Sequence, residues 1–190
     1  MSMFNSSETT KWKWAYRTVA WATHQPILYT VAALGNGKIL EFGAGYYSTP
    51  MLMHIVNEKN GNLYSFESDE FFVKKFEQDT NFQISHVPDW QIFFESSFFK
   101  TISEQHWDLI FVDQAPFEAR YETIKRLNNN CDYLLLHDCG YFFKNNIFKA
   151  EDYFKNHQVW YPPKRVSYAG PPTLVASNFK PCKIEVEKCC

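Results

Sequence analysis

Short apolar segments alternate with amphipathic segments along residues 38–139, and this alternation limits the possible folds more than any other feature of the sequence. Five segments have the length and apolar content of strands: KILEF, NLYSFES, FQISHV, WDLIFVDQ and CDYLLLHDC. Helical patterns lie between them: STPMLMHIVNEKNG, DEFFVKKFEQDT, FFESSFFKTISEQ and FEARYETIKRLNN. The run in WDLIFVDQ is apolar enough for burial on both faces. This order predicts a doubly wound parallel sheet with right-handed crossovers.

The flanking segments extend this fold at both ends. KWKWAYRTVAWATHQPILYTVAALGNG predicts two helices that break between Thr23 and Pro26. After FKAEDYFKNH, which is helical in pattern, QVWYPP and PTLVASN predict two strands of an antiparallel hairpin, joined by KRVSYAGPP. The expected fold is therefore a Rossmann-like, doubly wound α/β sheet of seven strands, mostly parallel, with an antiparallel C-terminal hairpin. We expect a disordered N-terminus at 1–10, one domain at 11–180 and a tail at 181–190.

Composition limits the partners that the chain can have. The 190 residues carry a net charge of −2, which argues against bulk electrostatic binding to nucleic acid or to an anionic membrane. No apolar run approaches the roughly 20 residues that span a bilayer, and the N-terminus lacks a signal-peptide core. The five cysteines are odd in number and lack a framework spacing, which indicates reduced thiols. We expect a cytoplasmic protein without a nucleic-acid or membrane partner.

A glycine-rich turn follows the first predicted strand, in the stretch LEFGAGYYSTP at residues 40–50. Glycine in a tight strand-to-helix turn lets backbone N–H groups approach a ligand closely, and the next helix adds its positive N-terminal end. This pattern indicates a nucleotide-like ligand. Two glycines can equally serve only a sharp turn, so the turn alone does not decide between the two interpretations.

Acidic residues close nearly every predicted strand, and this distribution favours a ligand site. In a doubly wound sheet the ligand lies outside the carboxyl ends of the strands, where the strand order reverses. A single acid at such an end often only caps a helix. Five acids at one edge of the sheet are difficult to explain by capping alone. They are Glu41, Glu67, Asp89, Asp113 and Asp138.

Glu67 narrows the choice of ligand. An acid that closes the second strand, 24 residues after Gly43, is placed to accept hydrogen bonds from both ribose hydroxyls of an adenosine. The dinucleotide pattern has a third glycine where this chain has Ser48, and a pyrophosphate is disfavoured by Glu41 two residues before Gly43. A positively charged ligand suits this acid better. An NAD-binding oxidoreductase and a catalytically silent cofactor-binding module remain the alternatives from other classes.

EFGAGYYST, Glu67, DLIFVDQAP and LLLHDC, followed by the predicted hairpin, resemble class I S-adenosylmethionine-dependent methyltransferases over about residues 25–178. The resemblance implies that the turn holds the methionine portion of S-adenosyl-L-methionine, Glu67 the ribose and the turn at 88–90 the adenine. The cofactor-binding residues that it implies are Glu41, Phe42, Gly43, Ala44, Gly45, Ser48, Thr49, Glu67, Ser68, Asp89, Trp90, Asp113 and Gln114.

Asp113 and the pair His137–Asp138 further resemble the strand-end residues of metal-dependent small-molecule and sugar O-methyltransferases. This resemblance implies Mg²⁺ or Mn²⁺ on Asp113 and Asp138, and a hydroxylated acceptor such as a sugar in a glycan or glycoconjugate. A hydroxyl must lose its proton to attack a methyl group well. His137 is the first candidate for the base and Asp113 the second; the other five histidines receive no role. A phenolic metabolite or a protein side chain is the alternative acceptor.

Overall fold

The computed structural model describes residues 22–76, 80–139, 153–160 and 173–182. Several predictions fall on residues outside these ranges. They are the disordered N-terminus, the helix before Thr23, the first half of FKAEDYFKNH, the loop KRVSYAGPP and nearly all of the C-terminal tail. The second predicted helix of the N-terminal pair is confirmed.

Seven strands form one sheet among the described residues. They are β1 (Lys38–Phe42), β2 (Asn62–Glu67), β3 (Phe82–His86), β4 (Trp107–Val112), β5 (Cys131–Leu136), β6 (Gln158–Trp160) and β7 (Leu174–Ser177). Their order is β3-β2-β1-β4-β5-β7-β6. The first five strands pair in parallel, whereas β7 is antiparallel to both β5 and β6. The predicted mostly parallel sheet with an antiparallel hairpin is therefore confirmed.

The described helices are α1 (Gln25–Leu34), α2 (Thr49–Lys59), α3 (Glu70–Lys75), α4 (Trp90–Phe94), α5 (Ser97–Ser103) and α6 (Phe117–Leu127). The prediction of one helix over FFESSFFKTISEQ is wrong, because two helices occupy this part of the chain. The hydroxyl of Ser96 accepts a hydrogen bond from the backbone N–H of Phe99, so this serine caps α5 and separates it from α4. No described helix is both long and apolar enough to cross a membrane.

Both faces of the sheet are buried, as the apolar strands predict. In β4, Leu109 and Phe111 pack into the core on one face, while Ile110 and Val112 pack into the core on the other. Helices cover both faces, so the strands are held firmly between two layers. The strand order reverses between β1 and β4, since the chain runs outwards from β1 through β3 and then returns to the other side of β1. A ligand site is expected at the carboxyl ends of these two neighbours.

Candidate active site

Backbone hydrogen bonds extend the sheet one residue beyond its strands at the predicted site. The N–H of Gly43 donates to the carbonyl of Phe66 at 2.8 Å, and the N–H of Asp113 donates to the carbonyl of Phe42 at 2.7 Å. The N–H of His137 donates to the carbonyl of Val112 at 3.1 Å. These bonds bring together the residues that follow β1, β4 and β5. The sequence predicted this edge of the sheet correctly.

The two glycines of the turn, Gly43 and Gly45, differ in their structural role. Gly43 has φ +96°, and a Cβ there would lie 2.5 Å from the carbonyl carbon of Asp113 and 2.6 Å from the nitrogen of Gln114. Glycine is thus required for the turn to pack against the end of β4. A Cβ at Gly45 would meet no described atom within 4 Å. Packing among the described residues does not explain this second glycine, and the space beside its Cα is open in this part of the structure.

Glu41 lies fully buried beneath the turn. Its Oε2 accepts hydrogen bonds from Thr49 Oγ1 at 2.9 Å and from Ser65 Oγ at 2.6 Å. Thr49 Oγ1 in turn accepts from the N–H of Gly45 at 2.9 Å, so the carboxyl group supports the glycine turn through one hydroxyl. Burial raises the pKa of Glu41 to about 7, although the surrounding hydroxyls partly counteract it. A direct contact between Glu41 and a ligand stays a prediction.

Replacing Glu41 by glutamine is expected to stabilise the protein at alkaline pH. Because the pKa of Glu41 rises from 4.5 to about 7 on folding, wild-type stability falls as pH increases through this range. Glutamine avoids the buried charge, so the free energy of unfolding should exceed that of wild type by up to about 3 kcal/mol near pH 8.5. The gain should vanish near about pH 4. Denaturant unfolding at both pH values tests this, with the exposed Glu104→Gln as control. A less stable Glu41→Gln at alkaline pH would contradict it.

Glu67 ends β2 at the predicted position and is buried. Its Oε1 accepts hydrogen bonds from the N–H of Asp69 at 2.7 Å and from Ser68 Oγ at 3.3 Å. Burial raises the pKa of Glu67, whereas these donors and the N–H of Ala44 lower it. The acid therefore lies against the glycine turn, and its partners fix the carboxylate at the edge of the sheet.

Other predicted cofactor residues use their polar groups within the fold. Asp89 caps α4, because its Oδ1 accepts from the N–H groups of Gln91 at 2.8 Å and Ile92 at 3.1 Å. The indole of Trp90 is buried and donates to the carbonyl of Ala115 at 2.7 Å. For Asp89, the capping role that any strand-end acid can have accounts for the side chain.

Gln114 is also turned into the fold, since its amide nitrogen donates to Thr123 Oγ1 at 2.6 Å and to the carbonyl of Ala119 at 3.3 Å. Four further predicted residues are buried in or beneath the turn: Phe42, Ala44, Ser48 and Thr49. Phe42 belongs to the core under the sheet. Contact of these residues with a cofactor stays a prediction, and their buried side chains support the turn.

Arg120 of α6 connects the ends of β4 and β5, and the sequence analysis did not identify it. The buried guanidinium donates to the carbonyls of Asp113, Gln114 and His137 at 2.7–2.9 Å. It also lies 3.0 Å from Asp113 Oδ1 and 3.7 Å from Asp138 Oδ2. The two carboxylates predicted to bind a metal thus share a cation from the protein. A signal existed in the sequence, because Arg120 occupies the apolar face of the helix with Thr123, Ile124 and Leu127.

Asp113 and His137 form a hydrogen-bonded pair. His137 Nδ1 lies 3.1 Å from Asp113 Oδ1, and His137 Nε2 lies 3.3 Å from Thr23 Oγ1. The side chain of Asp113 is 23% exposed, whereas that of His137 is 2% exposed, so Asp113 is the member nearer to solvent. Burial lowers the pKa of His137, but the charges of Asp113 and Asp138 outweigh it and raise the pKa overall. Burial opposes ionisation of Asp113 as well, yet His137 and Arg120 lower its pKa.

His24 joins this pair from the segment that precedes α1. Its ring packs edge-on against that of His137, with centroids 4.4 Å apart, and is tilted against the ring of Phe111, with centroids 5.0 Å apart. Burial lowers the pKa of His24 to about 3, so the imidazole is neutral. The sequence analysis gave His24 no role, and no local pattern in the sequence could have placed it beside a residue 113 positions away.

Comparison with known proteins adds the fold family to this geometry. No protein-family model matches the chain, and no curated protein matches it in sequence. Human Methyltransferase-like protein 13 in complex with SAH is similar in structure, with a TM-score of 0.54 and 13% identity over 87% of this chain and 86% of the other. SAH-bound Podospora anserina methyltransferase PaMTH1 has a TM-score of 0.53 and 16% identity over 89% and 86%. The chain has the class I methyltransferase fold.

The class I methyltransferase fold is not confined to proteins that are called methyltransferases. Spermidine synthase from Thermotoga maritima is also similar, with a TM-score of 0.53 and 12% identity over 87% of this chain and 67% of the other. Identities this low show a shared fold, and the predicted class I architecture is confirmed at that level. The activity of the chain has to be argued from its own residues.

Proposed function

We propose that the protein is an S-adenosylmethionine-dependent O-methyltransferase. The observation that carries the proposal is the open space beside Gly45, which lies at the reversal of strand order between the acid Glu67 and the pair Asp113–His137. This arrangement offers one group for a ribose and another for a reacting hydroxyl on the same edge of the sheet. The likeness to two structures that contain SAH supports the choice of cofactor.

The residues of the turn fit an adenosyl ligand with a positive charge. Backbone at Gly45 is accessible to it, and Glu67 would accept hydrogen bonds from the ribose hydroxyls. The nearby carboxylates of Asp113 and Asp138 favour a cation over a pyrophosphate. When bound, S-adenosylmethionine supplies an electrophilic methyl group on a positively charged sulfur. NAD lacks this sulfonium charge and would place a pyrophosphate near Glu41, so this geometry favours the methyl donor.

The pair Asp113–His137 would accept the proton of the acceptor. A C–O bond forms between the acceptor oxygen and the methyl carbon as the S–C bond breaks, and the electron pair of that bond goes to sulfur. The hydroxyl proton passes to Asp113, behind which His137 stabilises or shares the charge. Because His137 is almost fully buried, it would act through Asp113 and not by direct contact, which reverses the order of the two candidates from the sequence.

For the acceptor we propose a hydroxyl of a sugar in a glycan or glycoconjugate, with a phenolic metabolite or a protein side chain as the alternative. The support is the resemblance of the strand-end residues to sugar O-methyltransferases. The prediction that Asp113 and Asp138 hold Mg²⁺ or Mn²⁺ is open, because Arg120 already supplies these carboxylates with a positive charge. An ion on this pair would have to bind beside the guanidinium.

Two measurements test the proposed function. Calorimetric titration should show binding of S-adenosylhomocysteine and no comparable binding of NAD. Labelled S-adenosylmethionine should then transfer its methyl group to one or more members of a panel of monosaccharide glycosides, phenols and peptides. Binding of NAD alone would overturn the proposal. Binding of S-adenosylhomocysteine without methyl transfer to any acceptor would favour the alternative of a catalytically silent cofactor-binding module.

Replacing Glu67 by glutamine is expected to weaken S-adenosylhomocysteine binding by about 1–3 kcal/mol, since two ribose hydroxyls would lose a charged acceptor. Glutamine retains an oxygen for the N–H of Asp69, which limits the effect on the turn. Calorimetry measures the change in Kd. The matched control is Glu70→Gln, a solvent-exposed acid three residues further on. Equal Kd values for Glu67→Gln and wild type would remove Glu67 from the site.

A further inference from the structure

His24, Asp113 and His137 form a compact cluster that the proposed function uses only in part. Each side chain offers one ligand atom, and these atoms all lie within 4.8 Å of one another. His24 is buried, and neither of its ring nitrogens meets strict hydrogen-bond geometry with a described residue, although the backbone of Tyr47 lies close enough to influence its pKa. A buried polar group without a partner destabilises a protein, so its presence indicates a bound ligand or a mechanistic role.

We propose that His24, Asp113 and His137 bind a divalent first-row transition-metal ion. Two imidazole nitrogens and one carboxylate oxygen suit Zn²⁺, Mn²⁺ or Co²⁺, whereas Mg²⁺ prefers a set made of oxygens. This site differs from the predicted Asp113–Asp138 site in its two histidines. Metal binding can be measured without turnover; only the role of the ion rests on the proposed function.

The contacts of His137 are consistent with coordination of the ion by its Nδ1 atom. This nitrogen lies 3.1 Å from Asp113 Oδ1, so an ion bound to Nδ1 and to the other carboxylate oxygen, Oδ2, would replace this hydrogen bond. The other nitrogen, Nε2, lies 3.3 Å from Thr23 Oγ1, and a metal-bound histidine normally donates its second N–H to such an oxygen. The limit of 4.8 Å exceeds the ~3.4 Å between two ligands of a tetrahedral ion by about 1.4 Å, so the side chains would have to move closer together when the ion binds.

The charges around the cluster also favour a cation. Asp113 and Asp138 carry two negative charges against the single positive charge of Arg120, so the metal-binding form, in which both histidines are neutral, has one net negative charge. The contacts of Asp113 with Arg120 and His137 both fall on Oδ1, which leaves Oδ2 for the ion within the described part of the chain. The buried Oδ1 of Asp138 lies 3.7 Å from His137 Nδ1, where it could accept a hydrogen bond from metal-bound water.

The ion would solve a problem of the proposed chemistry. The hydrogen bond between Asp113 and His137 occupies both side chains, so it competes with transfer of the acceptor proton to the pair. A divalent ion displaces the proton between the two side chains. It would also lower the pKa of an acceptor hydroxyl bound to it, so that the hydroxyl reacts more readily.

Titration of the metal-free full chain with Co²⁺ tests the site directly. We expect visible d–d absorption that saturates at one ion per chain, displaced by Zn²⁺ and not by Mg²⁺. His24→Phe preserves an aromatic ring beside Phe111 and should weaken Co²⁺ binding at least tenfold. The control His106→Gln removes an exposed histidine that pairs with Asp132, and it should leave the affinity unchanged. Equal affinity in all three proteins would overturn the proposal, as would a thiolate-to-cobalt absorption band.

A measurement on the wild-type protein covers the case in which His24→Phe does not fold. With histidine labelled with nitrogen-15, Zn²⁺ should shift the ring signals of His24 and His137 among the six histidines. Shifts confined to the ring signals of the other four histidines, or no shifts at all, would overturn the proposed metal site. Calorimetry with S-adenosylhomocysteine on the metal-free protein reports separately on the proposed function, so a missing metal and a missing cofactor give different results.

Discussion

Replacement of Arg120 by methionine is expected to lower the free energy of unfolding by about 3–5 kcal/mol. Methionine fills a similar volume, but it leaves the carboxylates of Asp113 and Asp138 without their shared cation. The carbonyl groups after β4 and β5 also lose three buried donors. Removing one member of a buried ion pair is costly because the remaining charge stays desolvated. Urea unfolding near neutral pH, monitored by circular dichroism, measures the loss.

Arg126 supplies the matched control on the same helix. It pairs with Glu95 and Glu122 at the surface, so Arg126→Met should change the free energy of unfolding by less than about 1 kcal/mol. Equal, small losses in the two variants would show that water solvates Asp113 and Asp138 well enough to replace the guanidinium. Arg120 would then be a peripheral residue of the site.

Replacement of Gly43 by alanine is expected to destabilise the protein by about 4 kcal/mol or more. The added methyl group would lie 2.5 Å from the backbone of Asp113, which cannot rotate away as a side chain would. The left-handed φ of +96° adds strain for any L-residue with a side chain. To relieve the contact, the turn must separate from β4, and the bond from Asp113 to Phe42 must lengthen. Urea unfolding measures the loss of stability.

Gly45→Ala is the control for this substitution, since it adds the same methyl group in open space. Its free energy of unfolding should stay within about 0.5 kcal/mol of wild type. S-adenosylhomocysteine binding should nevertheless weaken, because the methyl group occupies space assigned to the ligand. A stable Gly43→Ala would show that the turn can shift, and normal binding by Gly45→Ala would place the ligand elsewhere.

The fold could be predicted from the sequence because each element has a local signal. Apolar runs such as WDLIFVDQ predict buried strands, and both faces of β4 are indeed covered. The break between α4 and α5 was missed, because the apolar pattern continues through FFESSFFK while Ser96 ends one helix and caps the next. A helical period alone does not distinguish a serine on the surface from a serine at a cap.

The edge of the sheet at which the candidate site residues meet was predictable for a similar reason. Residues that follow parallel strands meet at one edge whatever their side chains are, so Gly43, Asp113 and His137 came together as expected. The direction of each side chain depends on tertiary contacts that no local pattern contains. Asp89 caps a helix and Gln114 turns inwards, whereas Arg120 reaches the site from α6.

The parallel pairing of β2, β1 and β4 has a consequence for the size of any shared ligand. Neighbouring strands are spaced by about 4.8 Å, so Glu67 at the end of β2 and Asp113 after β4 stand about 10 Å apart along the edge. The sheet, and not the loops, determines this span, because the strands on both sides are held by ladders of hydrogen bonds. A ligand that contacts both acids has to span this backbone distance less the reach of the two side chains. An elongated molecule, or two molecules held end to end, therefore suits the whole edge.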